Sequence, residues 1–177
     1  NAVFGYKAFY SGSGANNTYI GSQAGFASGN SSNSTALGAS AGYAGSSVGR
    51  NTYIGSFSGA SATGGYNTGL GVFSLLSSGG SKNVAVGYQA GYQMGVGSNN
   101  VIIGGFSGVT SGFDISALSN NIVLADGAGN VRQVINPSGF VGINNYAPSV
   151  MLDVVGDSKV SATGLFGGKV SINTTSV

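Results

Sequence analysis

Four acidic side chains, Asp114, Asp126, Asp153 and Asp157, and six basic ones are spread over these 177 residues, and histidine and cysteine are missing. The commonest general base and the thiol nucleophile are therefore absent. Glycoside hydrolysis needs paired carboxylates. Asp153 and Asp157 are the one close pair, and they read as turn residues flanking Val154-Val155-Gly156. One carboxylate from each of two chains is the remaining route to a dyad. Asp126-Gly127-Ala128-Gly129-Asn130 looks like a calcium loop but lacks the further acidic ligands and terminal Glu of an EF-hand, so it reads as a hairpin turn. An ion on a symmetry axis would need only one ligand per chain. Gly12-Ser13-Gly14 and Gly95-Val96-Gly97 lack the Lys-Ser/Thr of a phosphate cradle. The expectation is a non-enzyme with no cofactor and no metal centre of its own. Tyr19 and Tyr53 are the candidate ligand-binding residues. Each alternates with an aliphatic neighbour, Ile20 or Ile54, so it is open to use as an aromatic platform for a sugar ring or as packing.

What positions these residues is a repeat. Asn, Thr or Val, a variable residue, an aliphatic residue and Gly recur as Asn17-Thr-Tyr-Ile-Gly21, Asn51-Thr-Tyr-Ile-Gly55, Asn83-Val-Ala-Val-Gly87 and Asn100-Val-Ile-Ile-Gly104, with variants at Asn1, Ser34 and Asn67. The closing glycines stand at 5, 21, 38, 55, 71, 87 and 104, steps of 16 or 17 residues. A degenerate eighth copy is Asn121-Ile-Val-Leu-Ala125. Such a period marks a stack of coils. Apolar spacing of two within each copy argues for strands, and each coil reads as strand, Gly turn, short strand and Gly/Ser-rich loop. Phe4, Ile20, Leu37, Ile54, Leu70, Val86 and Ile103 precede the glycines and are expected to form a core ladder inside the coils. Ala8, Ala24, Ala41, Ser58, Ser74, Ala90 and Ser107, three residues after, are small, as a close backbone approach requires. The leading Asn suits a left-handed corner and a stacked hydrogen-bonded ladder.

Composition narrows the rest. There are 34 glycines, 41% of residues are apolar, and the net charge is +2. The chain is apolar enough to fold, too weakly and diffusely basic to bind nucleic acid, and without a membrane-length apolar run. No signal peptide is visible, and a chain that opens inside a repeat reads as a fragment or a mature product. All four Asp, and both Pro, lie after residue 113, while 26 of the 34 Gly lie in residues 1–113. The expected organisation is therefore a β-roll repeat domain over 1–113 and a strand- and hairpin-rich segment over 114–177. Strands are expected at Ile122–Ala125, Val131–Ile135, Phe140–Ile143, Leu152–Val155 and Lys169–Ile172, with Asn136-Pro-Ser-Gly139 as a turn. A thin coil buries too little apolar surface to offset its ordering entropy alone, which favours self-assembly.

NTYIGSQAG, STALGASAG, NTYIGSFSG, NVAVGYQAG and NVIIGGFSG resemble the head repeats of trimeric autotransporter adhesins and, more closely, repeats of bacteriophage tail fibres. The resemblance covers residues 1–108. It implies a left-handed parallel β-roll, three of which pack about a threefold axis. Residues 120–157 are similar to the strand-rich segment that precedes a self-cleaving chaperone domain in many tail fibres, although Asn144-Asn145-Tyr146 departs from that pattern. The resemblance implies a homotrimer in the virion tail fibre, with other fibre proteins and a bacterial surface glycan or protein as partners. The alternatives are the head of a bacterial surface adhesin, at the cell surface, and an ice-binding solenoid. The last draws on the column Thr18, Thr35, Thr52 and Thr68, which gives way to Val84 and Val101.

Overall fold

The computed structural model describes residues 1–44 and 48–157. It is an all-β parallel solenoid without a helix among the described residues. Seven three-residue strands mark successive coils: β1 (Ala2–Phe4), β2 (Thr18–Ile20), β3 (Thr35–Leu37), β4 (Thr52–Ile54), β5 (Thr68–Leu70), β6 (Val84–Val86) and β7 (Val101–Ile103). They pair in parallel with like positions side by side, Thr18 with Thr35 with Thr52, and Ile20 with Leu37 with Ile54. A small hairpin, β8 (Val109–Thr110) with β9 (Phe113–Asp114), then interrupts the rhythm. The degenerate copy returns as β10 (Ile122–Ala125), parallel to β7 with Ile122 beside Val101. Pairing thus stays parallel across the composition shift at 113–120. It turns antiparallel only with β11 (Val131–Ile135) and β12 (Val141–Ile143), and β13 (Leu152–Val154) closes the sheet in parallel with β12. The expected strand at Lys169–Ile172 lies outside the described residues.

Each strand ends at a glycine because two backbones meet there. Gly55 has φ +127°, and a Cβ on it would lie 2.5 Å from the carbonyl oxygen of Gly71 in the next coil. The segment after each glycine is a chain of turns rather than the expected short strand. Gln23 (φ 57°) and Gly25 (φ 60°), two apart, are both left-handed, which prevents an extended backbone. These turns still bond from coil to coil, as in Gly25 N to Ala41 O at 2.9 Å and Gly42 N to Ser58 O at 2.8 Å.

A buried asparagine ladder sets which face of each strand turns inward. Asn51 Oδ1 accepts from Asn67 N (2.8 Å), Asn67 Oδ1 from Asn83 N (2.9 Å), and Asn83 Oδ1 from Asn100 N (2.9 Å). The amides donate to the next coil's carbonyls, Asn67 to Gly80 and Asn83 to Gly97. Ser34 substitutes with its hydroxyl, accepting from Asn51 N at 3.2 Å. Strand residues two apart share a face, so an inward Asn carries the variable residue inward with it.

Tyr19, Ala36, Tyr53, Ala85, Ile102 and Val123 accordingly fill the coil interior, against the small residues Ala24, Ala41, Ser58, Ser74 and Ala90. The expected core ladder is thereby corrected. Phe4, Ile20, Ile54, Leu70 and Ile103 are exposed on the outward face, and Leu37 and Val86 are half-buried there. An interior already occupied by Asn amides and the variable column has no room for them.

Candidate interaction surface

The outward face carries two parallel columns. One is Thr18, Thr35, Thr52, Thr68, Val84, Val101 and Ile122, and the other is the aliphatic column from Phe4 to Ile103, extended by Leu124. With strands about 4.8 Å apart, eight of them make a face roughly 35 Å long. Leu70 is 44% and Ile103 47% exposed, and neither column contains a charged side chain. A continuous exposed apolar column of this length is unusual on a lone soluble chain.

Tyr19 and Tyr53 do not belong to any surface. They are 2% and 3% exposed, so the expected aromatic platforms are interior packing. Tyr53 lies across Gly59, and Tyr19 across Gly25, where a Cβ would meet its ring at 2.6 Å. Burial pushes the Tyr53 hydroxyl above the usual tyrosine range, with the Asn67 side chain pulling weakly the other way. Asn67 is committed to Gly80 and Asn83, and neither the Tyr53 hydroxyl nor Ser28 Oγ makes a hydrogen bond. Both line a cavity of about 10 Å³, enough for one water.

The carboxylates are occupied locally. Asp126 Oδ1 accepts from Ala128 N and Asn130 N, and its Oδ2 takes the Asn130 amide and the Arg132 guanidinium. The Asn130 side chain, then Arg132, hold its pKa down at about 2. The loop is thus a hairpin turn whose carboxylate is saturated by the chain itself. Asp153 accepts from Ser149 N and Oγ, and the Ser149 N–H, then the Asn145 side chain, lower its pKa, while the Ser116 side chain, then its N–H, lower that of Asp114. No group of three or more acidic side chains forms among the described residues, and they hold no helix long and apolar enough to cross a membrane.

On a second flank, outside the strands, aromatic rings stack along the rod. Tyr10, Phe26 and Tyr43 lie parallel at 5.2 and 5.0 Å, and Phe57 stacks on Phe73 at 5.4 Å. An open groove of about 340 Å³ lies between Tyr43 and Phe57. The sequence reading aligned Tyr10, Phe26, Tyr43, Ala60, Leu76, Tyr92 and Val109 as a second, mostly apolar stripe, but did not set it beside the neighbouring column that holds Phe57 and Phe73. The signal was a change of column between copies, with aromatics five residues after the glycine in coils one to three and two residues after it in coils four and five. No protein-family model, curated protein or solved structure matches this chain.

Proposed function

We propose that this chain is a structural and adhesive section of a homotrimeric bacteriophage tail fibre that acts in attachment to a bacterial surface. The observation that carries the reading is the uncharged outward face along the parallel strands, an unbroken apolar column from Phe4 to Leu124 beside a column that passes from Thr to Val and Ile. Three such faces turned toward a common axis would bury each other, and each half-exposed aliphatic side chain would contribute about 1 kcal/mol. The rod would then present its turns and flanks outward, and threefold repetition would multiply weak surface contacts. The virion setting rests on the resemblance of residues 120–157 to tail-fibre segments. Other fibre proteins and a bacterial glycan or protein are the partners that setting implies. An adhesin head uses the same assembly.

The outward Thr column, lying flat beside Ile20, Leu37 and Ile54, favours one competing reading, an ice-binding face. It gives way to Val84, Val101 and Ile122, which suits contact with protein better than contact with ice.

Light scattering of the native chain tests the proposal. The expected mass is three times 17.3 kDa. Leu70→Asp should abolish the trimer, because an unpaired carboxylate at a closed interface costs about 3–5 kcal/mol, whereas on an exposed strand face it costs within about 0.5 kcal/mol. A folded wild-type monomer would refute the trimeric fibre, and thermal hysteresis from that monomer would support the ice-binding face.

A further inference from the structure

We infer that the groove between Tyr43 and Phe57 is a binding site for a neutral saccharide ring. This deepens the attachment reading by naming a ligand class and a place, and it rests on that reading for the bacterial source of the sugar.

The groove exists because the aromatic column changes lanes. Tyr43 stacks on Phe26 through one ring face at 5.0 Å and an interplanar angle of 4°. In the next coil its column continues as Ala60 and then Leu76, so its other face has no ring against it. Phe57 stacks on Phe73 through one face. In the preceding coil its own column holds Ser40, and before that Gln23, so its other face is also free. Phe57 is 42% exposed. Two open ring faces therefore flank one depression, which Ala60 and Leu76 also line.

Polar groups complete the site. The side chains of Gln23, Ser40 and Ser61 line the groove and make no hydrogen bond to any described residue. Ser40 as a residue is 8% exposed, yet its hydroxyl is not among the enclosed unpaired groups. Among the described residues no charged side chain lines the groove, which selects against an ionic ligand.

The complement of two aromatic faces and three neutral hydrogen-bonding side chains is a flat ring with apolar C–H faces and hydroxyls at its edge. A pyranose meets that description. Its polarised C–H groups lie over the electron-rich ring faces, and its hydroxyls pair with the serines and the glutamine amide. An aromatic side chain from a neighbouring protein would cover the rings but strand the polar groups without partners. The volume falls at the small end of the roughly 300–1,000 Å³ typical of ligand sites, which limits the occupant to a short saccharide.

The test uses the full chain and four neutral probes: the methyl glycosides of glucose, galactose and mannose, and N-acetylglucosamine. N-acetylneuraminic acid serves as an anionic comparator. Saturation-transfer NMR reads binding, and light scattering reads mass on the same samples. Ala60 is buried beside the groove and holds the coil position of Tyr10, Tyr43 and Tyr92, so Ala60→Tyr would carry a ring into the groove and restore the column. The expected result is transfer to ring C–H protons of at least one neutral probe, reduced about tenfold or more by Ala60→Tyr, with native mass unchanged. Ser40→Ala should leave the groove open and weaken binding several-fold.

Three results would overturn the inference: no transfer to any neutral probe, transfer that survives Ala60→Tyr, or preference for the anionic sugar. A fall in mass with Ala60→Tyr would also overturn it, because the groove would then belong to a contact between copies. A wild-type monomer that binds sugar in this pattern would keep the inference and remove the trimeric reading, and a trimer without sugar binding would do the reverse.

Discussion

The coil stack and the segment after Ala125 use the same residue types to different ends. In the stack, Asn83 is buried and joins three coils, with its Oδ1 accepting from Asn100 N and its amide donating to Gly97 O, while its own N–H donates to Asn67 Oδ1. After the stack, Asn136 Oδ1 accepts from Ser138 N and Phe140 N, both at 3.0 Å and both within one turn. Asp126 closes its own hairpin in the same local manner. Burial falls away only at the far end. Val131 and Val134 are enclosed like Ile102 and Val123, whereas Leu152, Val154 and Val155 of the last strand region are exposed. Order in the stack therefore passes between residues 16 or 17 apart, and each coil depends on its neighbours. Beyond it, order is made turn by turn.

The largest test of this difference is Gly55→Ala. A side chain at φ +127°, pressed against the Gly71 carbonyl, adds backbone strain to overpacking and should cost about 3–5 kcal/mol. Urea midpoints read the loss, and a shift under about 1 kcal/mol would mean that neighbouring coils slide apart freely. Next comes a matched pair. Asn83→Ala strands two buried backbone groups of the next coil, Asn100 N and Gly97 O, and should cost about 2–4 kcal/mol, against about 1 kcal/mol for Asn136→Ala. Equal costs would erase the distinction between the regions.

The smallest effect is the acid response of the Asp126 turn. Its carboxylate titrates at about 2 in the fold, against an ordinary value of 3.8. Its contribution is thus present above about pH 4 and is lost as the pH falls through about 2. The Ala128 and Asn130 amide resonances should shift with that midpoint while the Asn ladder amides do not. A midpoint near 4 would show that the turn is not closed in solution.

Much of this was legible residue by residue. The period, the parallel stacking it demands and the β10–β11 hairpin around Asp126 were all readable, because each depends on local chemistry repeated in register, whereas the close backbone approach falls at the closing glycines and not at the small residues three positions on. The asparagine ladder was readable as a ladder, but its conformation was not. The left-handed residues are those just before it, among them Asn16, Arg50, Tyr66, Lys82 and Asn99. The pairing of interior volumes was also present in the aligned copies. Tyr53 faces Gly59, whereas Gly69 coincides with a buried Leu75. That pattern spans two columns of the repeat and has no meaning until both are known to face the same interior.

The amino-acid sequence by itself determined that this chain repeats, that its repeats are strands closed by glycine, and which side chains alternate along them. Alternation divides residues into two sets but is symmetric between inside and outside. Only the closed coil broke that symmetry. The asparagine amides need the buried carbonyls of adjacent coils, and once they turn inward they take Tyr19 and Tyr53 with them and leave Ile20, Ile54 and Leu70 on the surface. Hydrogen bonds that cannot be left unmade, rather than hydrophobicity, chose the face this protein presents.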